Sequence, residues 1–137
     1  MLFALTLTFN TNISALTVGL CCWAMGAKET IVTDLGPILP NIRANVHLNK
    51  LAKCLRLLSC ENSESVSRMQ EKIDNIRVEE LDWDRPLSEA FHPPYDMVVA
   101  SDVIYELVDV NALRHALDAI SGQQTTLFLA YPCRGFD

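Results

Sequence analysis

Three places in the chain set hydrogen-bonding or reactive side chains directly behind short apolar or β-branched runs. Met97-Val98-Val99-Ala100 runs into Ser101 and Asp102, with Tyr105 following. Ile31-Val32-Thr33 runs into Asp34, and Ile76-Arg77-Val78-Glu79 runs into Glu80-Leu81-Asp82-Trp83. A continuous apolar run suits a strand buried on both faces of a parallel sheet. In open α/β sheets, ligands bind just outside the carboxyl ends of the strands. An acid after the second strand of such a sheet can accept hydrogen bonds from a ribose diol, and an aromatic ring at a neighbouring strand end can cover an adenine. Three such strand ends in order point to a cofactor that contains a nucleoside. The alternative is a set of buried strands running out into capped turns, because a fold does not imply a function.

The elements that must position these residues alternate along the chain. Ala15 to Met25 is small and apolar and reads as a buried helix stopped by Gly26. Residues 31–34 read as a short β-branched strand, broken by Gly36 and Pro37. Ile38, Leu39, Ile42, Val46 and Asn49 follow a period near 3.6 and predict a helix from about 38 to 51, with Pro37 and Pro40 confined to its entry and first turn. The serine-rich stretch 59–72 is a polar surface loop. A strand over 76–79 is followed by a connection bracketed by Pro86, Pro93 and Pro94, with a short helix expected at Leu87–Phe91. The strand at 96–101 comes next. Val110, Leu113, Leu117 and Ile120 then line one helical face, capped by Asp109 and closed by Gly122, before a last strand over 125–131. Strands alternating with helices imply a parallel sheet covered on both faces.

Bulk properties narrow the function. With 137 residues, half of them hydrophobic and a fifth charged, the chain forms at most one globular domain with a substantial core. A net charge of -6 argues against a nucleic-acid binder that neutralises phosphates. Arg43, Lys50, Lys53 and Arg56 read as a solvated helix face. Five cysteines without a disulfide rhythm, among them Cys21 and Cys22 in apolar sequence, fit small buried residues of a cytoplasmic protein. His47, His92 and His115 show no metal-ligand spacing, so no metal site is expected, and no base marks a cysteine nucleophile. No charged side chain precedes Lys28, yet the N-terminus has no basic leader region, and Thr8-Phe9-Asn10-Thr11-Asn12 interrupts its apolar sequence. A buried strand and helix is the preferred reading, without a membrane span. A secreted product is the alternative, since Ala24-Met25-Gly26-Ala27 imitates a cleavage site.

Taken together, Gly26-Ala27, Val32-Thr33-Asp34, Asn41-Ile42-Arg43-Ala44-Asn45-Val46, Glu80-Leu81-Asp82-Trp83 and Tyr95 through Tyr105 resemble the seven-β-strand S-adenosylmethionine-dependent methyltransferases. The closest resemblance is to lysine methyltransferase family 16, over residues 19–135. It implies a Rossmann-like sheet, S-adenosylmethionine as cofactor and a protein lysine as substrate, with no nucleic acid, membrane or metal partner. By the same resemblance Asp34 would hold the ribose hydroxyls, and Trp83 with Asp82 would pack at the adenine. Ser101 would lie by the methionine part. Asp102 and Tyr105, from the Asp-x-x-Tyr motif, would face the methyl group and the incoming amine.

The sequence departs from the family at both ends. The family's first strand ends in an acid and a glycine-rich loop, where backbone must approach the cofactor closely. The matching stretch Thr8 to Leu20 has no acid and one glycine, Gly19, which the resemblance leaves as a cofactor-binding position, and the loop that should cradle the methionine part is missing or replaced. The family's last antiparallel strand pair has no counterpart after 125–131. The expectation is therefore an incomplete Rossmann-like domain over 1–137, with a divergent segment at 1–18. Its function is lysine methylation or, alternatively, that of an inactive fragment binding a protein.

Overall fold

The computed structural model describes residues 3–8, 14–58, 75–104 and 109–130, with side chains over 16–52, 75–104 and 109–130. Tyr105 and the polar loop 59–72 lie outside the described residues. Strands β1 (Phe3–Thr8), β2 (Glu29–Asp34), β3 (Ile76–Glu80), β4 (Met97–Ser101) and β5 (Thr126–Ala130) form one sheet in the order β3-β2-β1-β4-β5. Every pairing is parallel. This is the strand order of a doubly wound nucleotide-binding half.

Side chains alternate across the sheet. Val32, Ile76 and Val78 face one side, where they meet Leu16 and Trp23 of α1 (Ser14–Ala24) and Leu39, Ile42 and Val46 of α2 (Leu39–Leu58). Ile31, Val98 and Ala100 face the other, packed with Leu113 and Ile120 of α3 (Val110–Ile120) and with Leu81, Phe91 and Tyr95. Helices therefore cover both faces, as the alternation implied.

α1 closes as its sequence suggests. Gly26 takes φ 92, its N–H donates to Trp23 O at 3.0 Å, and the Ala27 N–H donates to Cys22 O at 3.0 Å. That double closure needs a left-handed residue, and Ala27 packs back on Cys22. A Cβ at Gly26 would meet nothing within 4 Å. A side chain there therefore costs only the left-handed backbone. Gly26→Ala should lower unfolding free energy by about 1 kcal/mol in a denaturant titration. An unchanged midpoint would show that the turn does not depend on that conformation. The stretch 24–27, which imitates a cleavage site, is this turn between α1 and β2.

Several expectations are corrected. Cys21 is exposed and Cys22 buried, because successive residues on a helix point about 100° apart and one of the pair faces away from the sheet. Burial pushes the Cys22 thiol pKa up. α2 starts after a 3-10 turn (Gly36–Ile38) and runs to Leu58, well past residue 51. Asn49 lies on its solvent side, donating to Asn45 O at 2.9 Å. Arg43 is not merely solvated: its guanidinium donates to Val78 O on β3 at 3.3 Å. In α3, Asp109 caps the first turn, accepting from the Asn111 and Ala112 N–H groups at 2.8 and 3.3 Å. Val110 is exposed, and Ala116 joins Leu113 and Ile120 in the core. Gly122 does not close α3, which ends at an extended Ser121. It is small because a Cβ there would come within 2.8 Å of Pro94 Cβ.

No helix forms over 87–91. The connection from Leu81 to Tyr95 lies as irregular chain against the sheet, turning at Glu89 and Ala90. Its apolar residues Leu87, Phe91 and Tyr95 are spent on the sheet face. Arg77 takes the Ala90 carbonyl with both terminal nitrogens at 3.2 Å, while pairing with Glu29 at 2.7 Å and Glu79 at 3.2 Å. The buried Tyr95 hydroxyl accepts the His92 N–H at 3.0 Å, and burial raises its pKa above the ordinary 10.0. At the far side of the sheet, Leu127, Phe128 and Leu129 of β5 are exposed, so both faces of that strand carry uncovered apolar surface. Among the described residues, no helix is long and apolar enough to cross a membrane, and no group of three or more His, Cys, Asp or Glu could hold a metal ion.

Candidate functional site

The strand register brings the expected residues to one edge. Asp34 pairs with Glu80 across β2 and β3, while Ser101 pairs with Thr8 of β1 and with Ala130 of β5. Because Leu7 pairs with Thr33, the next position sets Asp34 beside Thr8. Glu80, Asp34, Thr8, Ser101 and Ala130 thus form one row along the carboxyl ends of the strands. Asp34 and Ser101 sit two strands apart, about 10 Å at the usual strand spacing.

Asp34 ends β2 almost fully buried, at 3% exposure. Its carboxylate accepts the Leu35 N–H at 2.8 Å, and its carbonyl accepts the Leu81 N–H at 3.2 Å. The second contact ties the β2 end to the chain leaving β3. From there Asp82 folds back on itself. Its carboxylate accepts the Asp84 N–H at 3.1 Å and pairs with Arg85 at 3.0 Å. That turn orients Trp83, which is half-buried against the cluster of Ile31, Phe91 and Val98.

At the end of β4 the chain makes its most unusual backbone turn. Asp102 takes φ 56, and its N–H donates to Ala130 O at 2.8 Å. Left-handed conformations disfavour most side chains, and Asp is among the few that tolerate them. The turn sends Val103 into the core, fully buried, and leaves Ser101 and Asp102 half-buried at the sheet edge. Strained positions of this kind cluster at functional sites.

The structure thus brings Asp34, Asp82, Trp83, Ser101 and Asp102 to one end of the sheet. It does not bring Gly19 there: that residue is buried inside α1, about a turn and a half past the helix start. Tyr105 lies outside the described residues. Sequence reading missed Glu80 and Gly36, which meet at the same edge. The Gly36 N–H donates to Glu80 Oε1 at 3.1 Å. The signal was available, since Glu80 directly precedes the Leu-Asp-Trp segment. A cavity of about 520 Å³ opens beside the β3 end, lined by Gly36, Leu39, Arg43, Glu80, Asp82 and Arg85. Of the expected residues only Asp82 lines it, so it flanks the row rather than marking its centre.

Acidic side chains gather at this edge, Asp34 and Glu80 on backbone amides and Asp82 paired with Arg85, beside the half-buried ring of Trp83. The sheet order defines a Rossmann-like α/β protein. Comparison with protein families then matches residues 15–135 to the lysine methyltransferase family. The chain belongs to that family, and by membership it is a methyltransferase of the S-adenosylmethionine-dependent class. No curated protein matches it.

Proposed function

We propose that this chain binds S-adenosylmethionine at the carboxyl edge of its sheet and methylates lysine side chains of a protein in the cytoplasm. The observation that carries the reading is the meeting of Asp34, Asp82, Trp83, Ser101 and Asp102 at the β2, β3 and β4 ends of a chain from this family. Asp34 accepts the ribose hydroxyls, Trp83 and Asp82 bound the adenine, and Ser101 lies by the methionine part. Asp102 and Tyr105 orient the incoming amine. The exposed free thiol of Cys21 suits a reducing compartment.

S-adenosylmethionine, which Asp34, Asp82, Trp83 and Ser101 would hold, would supply a methyl group on a cationic sulfur, to be passed to the amine nitrogen with S-adenosylhomocysteine as the leaving group. Only the neutral amine attacks, and a free lysine has a pKa of about 10.4, so its proton must first pass to solvent water. Asp102 at the site mouth can hold the ammonium and direct the nitrogen once it is neutral. The rest of the rate comes from alignment, because an in-line displacement gains mainly from orientation.

Titrating the purified chain with S-adenosylhomocysteine while following its thermal unfolding tests the reading. A ligand that binds only the folded state stabilises it, by about 2.7 kcal/mol at a hundred times its Kd. A saturable upward shift is the expected result. A folded chain that shows no shift overturns the cofactor reading. That outcome leaves the second reading, a chain that binds a protein without methylating it, which the exposed apolar β5 favours.

A further inference from the structure

We propose that Glu80 is a positioning residue for the cofactor site: its carboxylate fixes the turn after Asp34 and so sets how Asp34 presents its own carboxylate. The inference rests on the cofactor reading above. The two amides that follow Asp34 are each claimed by a carboxylate. The Leu35 N–H donates to Asp34 Oδ1 at 2.8 Å, and the Gly36 N–H donates to Glu80 Oε1 at 3.1 Å. The Ile38 N–H closes the turn on Leu35 O at 3.0 Å, and Leu81 N–H fixes Asp34 O from the other side.

A second observation supports the same contact. A Cβ on residue 36 would lie 2.7 Å from Glu80 Oε1 and 3.3 Å from its Cδ. A side chain there would push the Glu80 carboxylate away from its present place on the amide. Glycine is also the residue with most freedom to lose, so a turn built on it needs an outside hold. Glu80 supplies that hold from the neighbouring strand. The arrangement also separates two like charges, because Asp34 and Glu80 are direct partners across β2 and β3. Like charges placed opposite one another in a sheet repel. The Gly36 N–H draws one carboxylate out over the turn and leaves the other at the strand end.

Glu80 is exposed, so the inference separates from a folding role. In the full chain, Glu80→Ala should raise the Kd for S-adenosylhomocysteine about three- to tenfold, while the melting temperature falls by no more than the few degrees that one exposed hydrogen bond contributes. Glu80→Gln keeps an acceptor oxygen and should bind like the parent. Gly36→Ala should match Glu80→Ala, and the double variant should be no worse than either, because both changes remove one contact. Exchange of the Gly36 amide, read by NMR without cofactor, should quicken in Glu80→Ala and not in Glu80→Gln. Parent-like binding by Glu80→Ala overturns the inference, as does a loss that Glu80→Gln shares in full. A parent chain that binds no S-adenosylhomocysteine defeats the cofactor reading itself. Gly36 exchange then still decides whether Glu80 holds the turn, and an unaltered rate refutes it.

Discussion

Asp102→Ala should abolish methyl transfer, by about a hundredfold or more, while leaving S-adenosylhomocysteine affinity close to that of the parent. Misplacing a reacting group costs rates of this size even where binding survives. The observation behind the prediction is the left-handed backbone at Asp102, φ 56, pinned by its N–H bond to Ala130 O. A turn residue with no other task would be better served by glycine, so an aspartate held there at a cost points to use of its carboxylate. Two variants separate the parts. Asp102→Gly relieves the backbone and should be more stable than Asp102→Ala by about 1 kcal/mol. Both should be equally inactive. The readout is incorporation of labelled methyl groups from S-adenosylmethionine into lysines of a cell extract, alongside denaturant unfolding. Transfer that persists in Asp102→Ala would reduce Asp102 to a turn former.

The second large effect is expected at Asp34. Asp34→Ala should raise the Kd for S-adenosylhomocysteine by about ten- to a hundredfold, because hydrogen bonds to a charged group contribute about 1.5–3 kcal/mol. The residue is 3% exposed and accepts the Leu35 N–H, so alanine also strips a local partner from the turn. Asp34→Asn controls for this. It keeps an oxygen for Leu35 but loses the charge, and should fall between parent and alanine. Calorimetry measures the affinities. Equal affinity of parent and Asp34→Ala sinks the ribose assignment whatever happens to stability.

Much of the architecture was legible because it is local. The β-branched and apolar runs at 31–34, 76–79, 96–101 and 125–131 became β2 to β5 within a residue or two, and Gly26 stopped α1. The 3.6 period with Asp109 in front located α3. The errors arose where a residue's local preference and its partner elsewhere disagreed. Leu87 to Phe91 has helical spacing, but its apolar side chains plug the sheet face, and Arg77, distant in sequence, takes the Ala90 carbonyl. Cys21 and Cys22 read alike in sequence, yet the sheet covers one and water the other.

The site divides in the same way. Sequence alone determined which chemistry is present, through an acid, an acid-aromatic pair and a serine-acid pair that each end a strand, and through the family those motifs resemble. Local residue types fix such endings, because strands stop where apolar runs meet polar groups. Only the tertiary structure decided that these endings share one edge. It set β1 between Asp34 and Ser101, left Gly19 inside a helix, and put Glu80 on the Gly36 amide. Strand order, register and the left-handed turn at Asp102 follow from hydrogen bonds between residues far apart in the chain. A local pattern carries no information about those partners until the sheet has assembled.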